Sequence, residues 1–148
     1  MIPLARKPSK KEELIALLNE KDRRECRRSC RKFIKRHVKI YDPDVPGSVF
    51  PFKLWLGQLL VLRIFLHCRL VLVIKARQLG LTWLALAYSL WKMIFRPGFT
   101  VAAISTTEDK AKELVKRLKF MLERMPAHII RPAKGCDPRW IGPRWDFT

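Results

Sequence analysis

One short segment carries side chains whose types and spacing could bind the phosphates of a nucleotide. Phosphate-binding loops commonly follow the pattern GxxxxGK[ST], in which glycines let the backbone wrap the anion, the lysine reaches the terminal phosphates and the hydroxyl binds Mg²⁺. The corresponding positions here are Lys75-Ala76-Arg77-Gln78-Leu79-Gly80-Leu81-Thr82. Gly80 and Thr82 match the pattern, whereas Lys75 replaces the first glycine and Leu81 replaces the lysine.

The cation missing at Leu81 could come from the other side of the turn. Lys75 and Arg77 enter the turn from the preceding segment and bring positive charge close to Gly80 and Thr82 in the sequence. Two interpretations of Arg77 remain open at this point. It could contact a terminal phosphate, or it could be a surface charge at the end of a strand.

The elements around this turn must position it, and their order predicts a fold class. Residues 69–76 (RLVLVIKA) and 100–105 (TVAAIS) are apolar and lack polar alternation, which is typical of buried parallel strands. A helix is expected over residues 83–95, and another from Thr106 or Thr107 to about Met125. Strand, turn, helix, strand and helix in that order predict an α/β fold, the opening βαβ portion of a parallel sheet flanked by helices.

The front of the chain is basic and has a helical pattern. Ser9 and Glu12 fit a capping box, which predicts a helix over residues 10–37, broken near Asp22. Residues 1–39 hold 14 Lys and Arg against 5 Asp and Glu, and so half of the net charge of +18. This helix presents either a solvated face or a surface that binds polyphosphate or a partner.

The composition excludes some classes of protein. The 148 residues are 49% hydrophobic, which is too apolar for a disordered basic tail and sufficient for one domain with a core. The excess of positive charge indicates a polyanionic partner. Between Asp44 and Glu108 the chain has no acidic residue, so no carboxylate-based active site can lie in its middle.

The loop and two further segments resemble one protein family. IKARQLGLTW resembles the deviant Walker A loop of the large terminase subunit, the ATP-driven motor that packages DNA into tailed-phage capsids. Family members commonly show Arg-Gln-x-Gly, one more residue and then Ser or Thr, which here are Arg77, Gln78, Gly80 and Thr82. Residues 51–58 (PFKLWLGQ) are similar to the family's PFxLxxxQ segment.

The resemblance spans roughly residues 33–130 and also includes the Ser/Thr-rich turn and helix that begin at Ile104 and close at Pro126. It implies a P-loop NTPase-like fold with two parts. These are a basic N-terminal helical segment (1–40) and a partial ATPase domain (41–148) that contains the segments 51–58 and 75–82.

The resemblance also implies a role for each candidate residue. Gln58 would hold adenine, which an amide can do because it both donates and accepts hydrogen bonds. Thr82 would bind Mg²⁺, and Arg77, helped by Lys75, would stabilise charge on the γ-phosphate as the candidate catalytic residues. The implied ATP-binding set is Gln58, Lys75, Ala76, Arg77, Gln78, Leu79, Gly80, Leu81 and Thr82. The implied partners are ATP, duplex DNA, the portal protein and the small terminase subunit, in the cytoplasm of a bacterial host.

Some parts of such a motor have no counterpart in this sequence. A P-loop ATPase needs an apolar strand that ends in Asp-Glu to hold Mg²⁺ and orient water, and no such run occurs. Asp146, the best late acid, follows Gly-Pro-Arg-Trp, and the metal-binding carboxylates of the family's nuclease are also missing. We therefore expect a fragment truncated before Walker B that binds ATP but hydrolyses it poorly or not at all.

The four cysteines, Cys26, Cys30, Cys68 and Cys136, lack the spacing of a zinc site. Cys26 and Cys30 could both ligate a metal from one helix face, although reduced thiols packed as small hydrophobes are the expected state. The first residues lack the apolar run of a secretory signal, which favours a reducing cytoplasm.

Two other functions compete with the motor. The first is a non-enzymatic basic module whose front helix contacts the phosphates of a nucleic acid. The second is a small membrane-associated protein, suggested by the apolar residues 54–74. Arg63, His67 and Arg69 interrupt that window, so no membrane partner is expected.

Overall fold

The structure is a computed structural model that describes residues 9–76, 78–96 and 98–130. The described residues are mostly helical and form, in chain order, α1 (Lys10–Arg28), α2 (Cys30–His37), α3 (Leu56–His67), α4 (Leu81–Phe95), α5 (Glu108–Glu123) and α6 (Ala127–Ile130). Two short strands, β1 (Lys39–Ile40) and β2 (Phe50–Pro51), pair antiparallel, with Lys39 opposite Pro51 and Ile40 opposite Phe50.

The predicted α/β fold is wrong, because no parallel sheet flanked by helices exists among the described residues. Residues 71–76 and 101–105 are unpaired and belong to no strand. Leu70 is 92% exposed and Ile74 is also 92% exposed, so the expected burial is missing as well. An apolar, β-branched composition favours extended backbone, but a strand also needs a hydrogen-bonded neighbour, and no described segment supplies one.

The core is built around α4. Nearly every side of this helix is apolar, which is typical of a helix surrounded by other elements. It packs against α2, α3 and α5. Its buried residues are Leu81, Trp83, Leu84, Leu86, Ala87, Leu90, Trp91, Ile94 and Phe95.

The basic front of the chain folds as two helices that pack on this core. The Ser9–Glu12 capping box is present as predicted. The break falls at Ser29 and not near Asp22, because Ser29 has extended backbone and its hydroxyl accepts a hydrogen bond from the Lys32 N–H at the start of α2. The indole Nε1 of Trp91 donates to the Cys26 carbonyl at 2.8 Å and so ties α4 to α1.

The last two helices also follow local sequence signals. Thr107 caps α5 as predicted, and its side chain accepts a hydrogen bond from the Lys110 N–H. α5 packs on α4 and β1, and α6 packs on α1. No helix in the described ranges has both the length and the apolar character needed to cross a membrane.

Candidate functional site

The loop before α4 turns sharply and ends in an uncapped helix start. Gln78 has φ 62° and Gly80 has φ 67°. Both values lie in the left-handed region, which residues other than glycine disfavour. Gly80 is the N-cap of α4 and offers no side chain to bind the first N–H groups. Those groups are therefore free of a capping side chain, and such groups are the donors that bind anions at helix starts.

Gln58 links α3 to this loop. Its side chain is buried, with 4% of the residue exposed. The Nε2 group donates to the Leu79 carbonyl at 3.0 Å, and Oε1 accepts from the Trp55 N–H at 3.4 Å. An amide can donate twice and accept at two lone pairs, so these two hydrogen bonds use about half of the capacity of this buried amide.

The close approach of the Gln58 side chain disfavours a larger residue at Gly80, as does the positive φ of its backbone. A Cβ atom at Gly80 would lie 2.7 Å from Gln58 Nε2, which is closer than van der Waals contact permits. The two segments that resemble the terminase family, 51–58 and 75–82, thus meet at Gln58, Leu79 and Gly80.

The other candidate residues lie near the contact of Gln58 with Leu79 and Gly80 but form no described hydrogen bond to it. Lys75 and Ala76 are exposed in the extended segment, and the described hydrogen bond of the Lys75 ammonium goes to the neighbouring Ala76 carbonyl at 3.4 Å. Gln78 is exposed, Leu81 packs into the core, and Thr82 is half-buried in the first turn of α4. Arg77 lies outside the described residues.

The residues of the loop fit the phosphates of ATP better than they fit a metal ion. The loop contains basic residues and backbone N–H groups but no carboxylate. Mg²⁺ in nucleotide sites keeps several waters and takes phosphate oxygens with one or two protein ligands. Thr82, in the first turn of α4, would be the protein ligand within residues 75–82, and the phosphates would supply the rest.

A second candidate surface is a groove rich in arginine, most of which lies on the basic front helix that the sequence offered as a possible polyphosphate-binding surface. The groove has a volume of about 610 Å³ and is lined by Arg24, Arg27, Arg28, Trp91 and Arg96. Arg24 pairs with Glu20. Arg27, Arg28 and Arg96 form no ion pair with a described residue. The basic residues between 21 and 32 can be seen in the sequence as a cluster of positive charge. Arg96 is distant from them in the chain, and only the fold brings it into the groove.

A third cluster lies where α1, α2 and α6 meet, and it was not predicted. Asp22 Oδ2 lies 2.8 Å from His37 Nε2 and 3.0 Å from His128 Nε2, while Arg36 Nη1 lies 2.6 Å from Asp22 Oδ1. Burial raises the pKa of Asp22, but the hydrogen bonds from His128, Arg36 and His37 outweigh it and hold the pKa below 3.8.

The cysteines of the described chain are free thiols. Cys26 and Cys30 are buried, as expected for small hydrophobes, whereas Cys68 is exposed. Burial raises the pKa of Cys26 to about 11 and that of Cys30 to about 12, so both are protonated at neutral pH. Cys136 lies outside the described residues.

Comparison with known proteins does not add an assignment. No protein family, no curated protein and no solved structure matches the chain.

Proposed function

We propose that the loop 75–82 binds the phosphates of ATP, and that the chain is the N-terminal part of a large terminase subunit. The observation that carries the proposal is the 3.0 Å hydrogen bond from Gln58 Nε2 to the Leu79 carbonyl. The two segments that resemble this family lie about twenty residues apart in the chain, and their proximity in the fold supports one nucleotide shared by both.

Each residue of the site has a task in this proposal. The first N–H groups of α4 and the turn at Gln78 and Gly80 cradle the phosphates, since these donors have no capping side chain. Lys75, with Arg77, supplies the positive charge that Leu81 cannot supply. Thr82 offers its hydroxyl to Mg²⁺, and Gln58 uses its remaining N–H and lone pair on the adenine edge.

The wider role follows from the same resemblance. In a packaging motor the chain would act in the bacterial cytoplasm, together with duplex DNA, the portal protein and the small terminase subunit. Its net charge of +18 supports a polyanionic partner such as DNA. The proposal concerns binding of ATP, and turnover is expected to be poor or absent because the sequence lacks an Asp-Glu strand end.

Calorimetric titration of the purified chain with ATP and Mg²⁺ tests the proposal. Thr82→Ala and Lys75→Ala should each weaken binding about tenfold or more, because each removes a contact to a charged ligand. Thr100→Ala and Lys53→Ala are matched controls, since both residues are exposed and lie outside the loop. Equal affinity in all five proteins, or no ATP binding by the unmodified chain, would refute the assignment.

A second candidate function, binding of nucleic-acid phosphates without ATP, is favoured by the arginine groove. Three guanidinium groups without a described ion pair, Arg27, Arg28 and Arg96, converge there beside Trp91. Arg→Gln changes at Arg27 and Arg28 should each reduce the slope of log affinity against log salt by about 1. Arg31→Gln, exposed on α2, is the control. This function would be insensitive to ATP and to Thr82→Ala.

A further inference from the structure

Three side chains of metal-ligating type converge at the junction of α1, α2 and α6. Asp22 lies in α1, His37 ends α2, and His128 lies in α6. The chain has 3 histidines, so all but His67 are directed at one carboxylate oxygen. The side chain of His37 is 10% exposed, and those of Asp22 and His128 are 23% and 24% exposed.

The distances in this cluster are close to those of a coordination sphere. Two ligand atoms about 2.0 Å from a tetrahedral ion lie about 3.3 Å from each other. Asp22 Oδ2 lies 2.8 Å from His37 Nε2 and 3.0 Å from His128 Nε2, so each of these two pairs would open by a few tenths of an ångström to share an ion. The two imidazole rings are nearly perpendicular, at 81°, with centroids 5.8 Å apart, so they approach the carboxylate from different directions.

A fourth ligand and an outer partner are also in place. Cys26 Sγ lies 3.9 Å from Asp22 Oδ1, one helical turn along α1. The ligand atoms of Asp22, Cys26 and His37 all lie within 4.8 Å of one another. Arg36 Nη1 holds Asp22 Oδ1 at 2.6 Å, which leaves Oδ2 for the ion and orients the carboxylate as outer partners of metal ligands do.

We propose that Asp22, His37 and His128 bind Zn²⁺, with the Cys26 thiolate as the fourth ligand. An oxygen, two imidazole nitrogens and a sulfur are a ligand set that zinc accepts. Each imidazole then carries its proton on Nδ1, and the Cys26 proton passes to the solvent as the ion binds. A closed site of this kind would hold α6 against α1 and α2, independently of any nucleotide at the loop 75–82.

Titration of the metal-free chain with Co²⁺, followed by competition with Zn²⁺, tests the proposal. We expect one Co²⁺ per chain, with visible absorption of a tetrahedral complex and a thiolate charge-transfer band that Zn²⁺ abolishes. His128→Gln should weaken binding about tenfold or more, and Cys26→Ser should remove the charge-transfer band. His67→Gln and Cys68→Ser, each an exposed residue outside the cluster, should leave both signals unchanged.

The proposal is overturned if the unmodified chain gives no tetrahedral Co²⁺ spectrum, because the cluster is then a metal-free network of hydrogen bonds. It is also overturned if His128→Gln binds Co²⁺ as tightly as the unmodified chain. Circular dichroism of each variant without metal separates loss of a ligand from loss of folding. Because His128 is only partly buried and lies in a helix of four residues, the His128→Gln variant should keep the helical signal of the unmodified chain.

Discussion

At the scale of single residues, the contact between Gln58 and the loop at Leu79–Gly80 is the feature on which the proposed nucleotide site depends. Gly80 is constrained twice, by its φ of 67° and by the 2.7 Å that would separate an added Cβ from Gln58 Nε2. These two constraints can be separated, because Gly47 has a φ of 78° with nothing within 4 Å of an added Cβ.

Gly80→Ala should therefore destabilise the chain more than Gly47→Ala. The left-handed backbone alone costs alanine about 1 kcal/mol, which is the expected loss at Gly47. At Gly80 the clash with the Gln58 amide adds to this loss, as urea denaturation would measure. In the double variant with Gln58→Ala, the added cost of Gly80→Ala should fall to that at Gly47. An unchanged cost would mean that the amide does not press on Gly80.

Some of these residues could be found in the sequence and others could not. Gln58 and residues 75–82 were recognisable because each lies in a contiguous segment with its own pattern. Their contact depends on the fold. The cluster of Asp22, His37 and His128 and the position of Arg96 beside α1 had no local signal, because the partners lie far apart in the chain.

At the scale of elements, local sequence signals predicted the helix starts correctly, whereas the predicted pairing of strands was wrong. The cap at Ser9 was predicted correctly and the second cap fell on Thr107, one of the two residues predicted, because a cap is formed by residues two or three positions apart. The helix break was predicted near Asp22 but lies at Ser29. The extended backbone of Ser29 ends α1, and the charged residues on both sides of Ser29 give no sequence signal for this break. The strands predicted at 69–76 and 100–105 do not form, because a strand needs a hydrogen-bonded partner from elsewhere in the chain.

The absence of strand pairing in these segments predicts unequal effects of two leucine substitutions. Leu84→Ala, in the buried centre of α4, should lower the free energy of unfolding by about 3 kcal/mol through loss of packing. Leu72→Ala should change it by less than about 0.5 kcal/mol, because Leu72 is 87% exposed. Urea denaturation of both variants provides the measurement. A large loss at Leu72 would instead indicate a buried strand.

The hydrogen bond between the loop after β1 and α5 predicts a pH dependence. The Tyr41 hydroxyl donates to Glu113 Oε1 at 2.8 Å. Burial raises the pKa of Glu113, but the bonds from Tyr41 and Arg117 outweigh it and lower the pKa below 4.5. A lowered pKa contributes stability above pH 4.5, and this contribution is lost as the pH falls through the folded-state pKa.

Tyr41→Phe should therefore cost about 1 kcal/mol of unfolding free energy at pH 7 and less at an acid pH below the lowered pKa of Glu113, where this carboxylate is protonated. Tyr88→Phe is the matched control, because the Tyr88 hydroxyl donates to the Phe65 carbonyl at 2.8 Å and that acceptor does not titrate. Urea denaturation at both pH values compares the two variants. A cost at Tyr41 that stays constant with pH would contradict the assigned partner.

At the scale of the whole molecule, an apolar helical core supports several basic surfaces. α4 lies among α2, α3 and α5, and its first turn forms the helix side of the loop while its last turns face the arginine groove. One buried helix thus links both candidate anion sites, at opposite ends. The two candidate functions place the same kind of ligand at different ends of α4, so the position of a bound ligand distinguishes them.

The most direct test of the proposed nucleotide site is amide hydrogen exchange of the 148-residue chain with and without ATP and Mg²⁺. Slower exchange is expected at residues 78–83, where the loop and the first turn of α4 would donate to phosphate. Exchange in α1 near Arg24, Arg27 and Arg28 should stay unchanged. Protection confined to that part of α1, or protection nowhere in the chain, would contradict the proposal that this loop binds ATP.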